Sequence, residues 1–147
     1  MSTPVKVALL TIVVAIPAFL FGRVIWPPFA GNPTPTAAQL PLFLVLAAME
    51  AIVLGLGISF IAFGWPLMRR LTGGATALSW AMFVSIAWLL VSWWSHDNMH
   101  QANGFDLGGL LVIEYLYHST LIVAGAVLGF GFIQWLNSPS RAGTRAT

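Results

Sequence analysis

Four long apolar runs leave this chain few ways to fold. They cover roughly Val5–Phe21, Leu42–Leu67, Ala77–Trp94 and Leu107–Leu136. Each reaches or approaches the ~20 residues that a helix needs to cross ~30 Å of hydrocarbon. None alternates polar and apolar residues as a membrane strand must. At 59% hydrophobic and 7% charged, the composition lies far from that of a soluble domain, in which about a quarter of residues carry charge. The sequence predicts an all-α integral membrane protein, a four-transmembrane-helix bundle. Residues 1–147 read as one membrane domain with helices near 5–22, 41–67, 76–101 and 107–136.

The first run follows Lys6 and resembles the apolar core of a signal peptide, but no small-x-small cleavage site follows it. It reads as a retained transmembrane helix, with Pro17 as a kink that neighbouring helices accommodate. Lys6, Arg69, Arg70, Arg141 and Arg145 share one side if the chain crosses four times, and only Arg23 falls opposite. The positive-inside rule makes that side cytoplasmic and both termini cytoplasmic. The expected location is a plasma (inner) membrane, crossed several times.

On this topology every acid (Glu50, Asp97, Asp106, Glu114) and every histidine (His96, His100, His118) falls in the outer half of the membrane or at its surface. Asn103-Gly104 reads as a helix stop and turn, and Asp106 as a cap for the fourth helix. If the third helix continues beyond Trp94 to about Gln101, His96 comes opposite the level of Glu114. By the helical rise, Glu114 lies about 10 Å and His118 about 16 Å along the fourth helix from Leu107, and Glu50 about 15 Å down the second.

His96 and His100 are four apart, as are Glu114 and His118, a spacing that stacks each pair on one helix face. Facing helices carrying such pairs build metal sites in helical bundles. The expected metal ligands are His96, His100, Glu114, His118 and Glu50, with Glu114 and His118 the pair most in need of a partner, because charge in the bilayer is expensive. Without cysteine, the donor set suits a transition metal ion, copper first, with zinc, iron or manganese as alternatives. Haem bound through His118 and His96 or His100 fits less well, because those residues differ in depth. His-x-x-x-His also occurs in membrane di-iron oxygenases, but those carry several longer histidine boxes facing the cytoplasm, unlike this chain.

Blander readings exist for the same residues. His96, Asp97, Asn98, His100 and Gln101 follow Trp93 and Trp94 and can be solvated interface residues. Glu50 can be a protonated hydrogen-bonding group between helices, and Arg23 can pair with an outer acid. Tyr115 and Tyr117 read as interfacial belt residues. Gly125 with Gly129, and Ala51 with Gly55 and Ser59, read as small-residue faces for close helix packing. The loop "WPPFAGNPTPTAAQLP" is stiff and without a catalytic signature.

Three functions follow from these residues: a His/Glu metal site, a non-catalytic transmembrane subunit of a larger membrane (redox) complex, or an acid-base relay for a quinol or proton through Glu50, Glu114 and His118. The expected partners are the lipid bilayer and other membrane subunits or further copies of the chain. A pI near 9.7 reflects a few arginines and implies no nucleic acid.

Overall fold

The computed structural model describes residues 1–31, 34–104 and 107–137, without the side chain of Leu107. Asp106, Arg141 and Arg145, and with them the proposed cap and two of the charges used for orientation, lie outside the described residues. Five helices form: α1 Thr3–Ile25, α2 Leu40–Phe63, α3 Trp65–Leu71, α4 Thr76–Asn103 and α5 Leu107–Leu136. No strand occurs among the described residues. All but α3 are long and apolar enough to cross a membrane.

Local chemistry explains most boundaries. Proline occupies the first turn of α1, α2 and α3, where its missing N–H has no intrahelical partner to lose. Pro17 lies inside α1, which nevertheless runs unbroken to Ile25. The second apolar run does not continue to Leu67 as one helix, as its hydropathy alone suggests. It divides at Gly64 because Pro66 cannot donate to the helix and its ring crowds the preceding turn. Gly73 and Gly74, at φ 62° and 86°, then reverse the chain into α4, a left-handed backbone that glycine adopts without a Cβ clash.

That reversal is tied down by an aromatic cluster. Trp65 lies 4.2 Å from Trp80 between ring centroids, and Phe83 meets Phe60 at 5.1 Å. The Thr72 and Ser79 hydroxyls share a 2.6 Å hydrogen bond.

α2 packs between α1 and α4, and α4 carries α5 on its other side. The buried positions are mostly small or polar: Ala15, Ala18 and Ala51, with Thr11, Ser59, Ser79 and Ser85. Large apolar residues such as Val13, Leu42, Val112 and Ile122 are exposed instead. This inversion is what helices in lipid need, since apolar surface gains nothing by leaving hydrocarbon and close backbone approach supplies the attraction. The Ala51, Gly55 and Ser59 face performs that role against α1. A Cβ on Gly55 would strike the Thr11 carbonyl, and Ser59 bonds Thr11 Oγ1 at 3.0 Å and the Val7 carbonyl at 3.2 Å.

α4 continues past Trp94 to Asn103 and ends at Gly104, φ 71°. α5 packs alongside it. Nine residues of α4 thus extend beyond the last tryptophan, and they position the site.

Candidate metal centre

Two polar clusters lie on different sides of the C-terminal end of α4. Residues 96 and 97 are about 100° apart around a helix, whereas 96 and 100 share a face, as do 94, 97, 98 and 101. One face meets α5 and the other meets α1 and α2.

The α5-facing cluster converges on a single carboxylate. Glu114 Oε1 lies 2.9 Å from His100 Nε2 and 3.2 Å from His96 Nε2. All three side chains are shielded, with His96 at 13%, His100 at 12% and Glu114 at 15% exposure. One donor atom from each falls within 4.8 Å of the others, so His96, His100 and Glu114 form a group that can hold a metal ion. A tetrahedral ion with bonds of about 2.0 Å places its ligand atoms about 3.3 Å apart, close to the spacings seen. Two neutral imidazoles donating Nε2–H to one carboxylate produce similar distances, so the geometry serves either state.

The remaining expected ligands lie elsewhere. His118 is 60% exposed, and its Nδ1 lies 3.6 Å from Glu114 Oε2. The same nitrogen is 2.8 Å from the Glu114 main-chain carbonyl one turn earlier, to which Nδ1–H donates. That local bond turns the ring away from the point where the other donors meet. The i,i+4 spacing puts His118 beside Glu114 without making it a third imidazole of the group.

Glu50 belongs to the other cluster. It is 2% exposed, and its carboxyl is hydrogen-bonded to that of Asp97, with the Arg23 charge close by. Arg23 also lies over the Phe43 ring at 4.8 Å. Asn98 is anchored by its Nδ2–H to the Trp94 carbonyl at 2.7 Å, and its Oδ1 lies 3.6 Å from the point a Cβ on Gly22 would occupy. Glu50, Arg23, Asn98 and Gln101 line a cavity of about 230 Å³ between α1, α2 and α4. Arg23 supplies a positive charge beside the two carboxyls, so the cluster offers its members partners of its own.

The sequence underrates Asp97 and Tyr117. Asp97 shares the 94–98–101 periodicity, the signal that separates it from its neighbour His96. Tyr117 stacks on His96, with centroids 3.7 Å apart and planes 10° from parallel. His96 also meets His100 edge-on at 4.6 Å. The Tyr117 ring therefore fixes the orientation of the His96 imidazole, a role its place near the interface does not disclose.

Comparison with protein-family models, curated proteins and solved structures returned no match.

Proposed function

We propose that this chain is a multi-pass membrane protein whose outer half holds a transition-metal ion on His96, His100 and Glu114. The observation that carries the reading is the convergence of two imidazole nitrogens on one carboxylate oxygen at 2.9 and 3.2 Å, supplied by two adjacent helices. Copper(II) is the favoured ion. Among divalent first-row metals it stands highest in affinity for nitrogen and oxygen donors, with zinc and iron(II) as other fits to two histidines and one carboxylate. Three protein ligands leave coordination positions open, as in sites that exchange a ligand or pass the ion on.

Equilibrium dialysis of the purified protein against copper(II), followed by metal analysis, tests the reading. It predicts one tightly held ion per chain, and an ion-free protein at micromolar copper would overturn it. The orientation rests on Lys6, Arg69 and Arg70, with Arg141 and Arg145, on one side against Arg23 on the other. Cysteines placed at Gly73 and Asn103 report it. An impermeant reagent added outside should label Asn103→Cys and spare Gly73→Cys, and the reverse pattern would place the metal site on the cytoplasmic face.

A second observation favours assembly into a larger membrane complex. α5 packs mainly on α4, and a Cβ at Gly125 or Gly129 would meet nothing within 4 Å. Both glycines face open space in the single chain, where another membrane helix can approach closely.

A further inference from the structure

The end of the bundle away from the metal centre carries charge without countercharge. Arg69 and Arg70 lie in the last turn of α3, both exposed and neither in an ion pair among the described residues. The described acids are far from them. Glu50 is separated from the end of α2 at Phe63 by about 20 Å of helix, and Asp97 and Glu114 belong to the clusters at the C-terminal end of α4. Charge acts through physiological salt over only about 8 Å, so none of these carboxyls neutralises the arginines. Trp65 and the half-exposed Trp80, paired beside the chain reversal, put this end at the depth of lipid headgroups, where tryptophans gather.

A groove of about 580 Å³ runs at the same end between the first turns of α4 and the second half of α5. Ala77, Leu78, Ala81, Ala126, Val127 and Phe130 line it, so its walls are wholly apolar. Arg69 stands close by. A guanidinium nitrogen is 4.0 Å from the point a Cβ on Gly74 would occupy, and Gly74 precedes Ala77 by at most about 11 Å of chain. An apolar slot with exposed cations near one end matches a molecule with an apolar chain and an anionic head. Guanidinium groups pair with phosphate through parallel N–H donors, and each basic residue near an anionic lipid surface strengthens binding about fivefold.

We propose that Arg69 and Arg70 bind the headgroup of an anionic phospholipid, one of whose acyl chains lies in the groove between α4 and α5. The inference goes beyond the metal site and holds for metal-free protein in either orientation, because every group it uses lies at the other end of the bundle. It also leaves Gly125 and Gly129 open, since the groove is about a third of a turn away around α5.

Native mass spectrometry of the full chain in detergent, titrated with dioleoyl phosphatidylglycerol, tests this. One lipid should be retained per chain, at least tenfold more tightly than dioleoyl phosphatidylcholine, which has the same acyl chains and no net charge. Arg69→Gln combined with Arg70→Gln should weaken phosphatidylglycerol binding about tenfold or more. Lys6→Gln, on α1 across α2 from the groove, should change it less than twofold. Ala126→Phe, at an exposed position of the groove, should fill it and weaken binding about threefold or more. Equal retention of the two lipids would overturn the proposal. So would an equal loss in Lys6→Gln, which marks a diffuse surface field, or no loss in Ala126→Phe. Glycerol 3-phosphate in excess should not displace the lipid, and displacement would overturn the proposal in favour of a free-phosphate site. Should Ala126→Phe fail to fold, the arginine pair and the two lipids decide.

Discussion

The two polar clusters at the end of α4 each set a glutamate from a neighbouring helix against side chains of α4, yet they differ in what they have left to bind. Between α1, α2 and α4, Glu50 has a hydrogen bond to Asp97 and a cation, Arg23, nearby. Between α4 and α5, one carboxylate faces two imidazole nitrogens at once. The first cluster satisfies its own members, as buried charge in an apolar setting must. The second gathers donor atoms around a point and leaves their lone pairs available once the imidazoles are deprotonated. Intramembrane charge alone therefore does not identify a ligand site. Convergence of donors from different elements on one point does.

Removing one imidazole separates the two clusters most strongly. His100→Ala and His96→Ala should each weaken copper(II) binding by about 100-fold or more, since losing even an indirect supporting contact costs 10- to 100-fold. Glu50→Gln and Asp97→Asn should change it less than threefold. Competition dialysis of the four variants against a chelator of known affinity measures this. A comparable loss in Glu50→Gln would merge the clusters into one site. Acidification should release the ion with uptake of up to two protons by the freed imidazoles, because bound imidazole must be deprotonated.

Stability should show the reverse order. Glu50→Ala leaves Asp97 and Arg23 without their buried partner and should cost about 2 kcal/mol, read as a lower midpoint in thermal unfolding in detergent. Glu50→Gln keeps a hydrogen-bonding group and should cost less. Metal-free His100→Ala should change the midpoint little, because its partner Glu114 still has His96. Equal losses in Glu50→Ala and His100→Ala would remove the distinction between a self-satisfied cluster and an open one.

How far this was readable from the sequence follows from what each residue's position depends on. Four span-length helices are visible because each run's length is set by hydrocarbon thickness, a property of the solvent rather than of any contact. The continuation of α4 to Asn103 and the facing of His96 with Glu114 follow from the 3.6-residue repeat and a short turn. The break at Gly64 is equally local, carried by Pro66, but hydropathy averages over it. Glu50 and His118 are different. Glu50 joins Asp97 because residue 97 lies on the α2-facing side of α4, a matter of helix rotation rather than of depth. His118 is diverted by a main-chain carbonyl in its own helix, and spacing alone does not distinguish a ring that bonds backward from one that points across.

His118 supplies a finer comparison. His118→Ala should weaken copper(II) binding by less than about threefold, in line with its bond to a main-chain carbonyl and its exposure. A loss as large as that of His100→Ala would place three imidazoles on the ion. The smallest effect belongs to the open face of α5. In the isolated chain a Cβ at Gly129 meets nothing within 4 Å, so Gly129→Leu should alter the unfolding midpoint by no more than about 0.5 kcal/mol equivalent. A large change, or loss of a higher oligomer on light scattering, would show that another helix covers this face.

The central claim is that α4 and α5 together present two imidazoles and one carboxylate to a single ion while the Glu50–Asp97 pair takes no part. Pulsed electron paramagnetic resonance of the copper(II)-loaded protein counts coordinated imidazoles through their remote nitrogens. The account predicts two in the parent protein, one in His100→Ala and two in Glu50→Gln. An unchanged count in His100→Ala, or no imidazole signal in the parent, would contradict it.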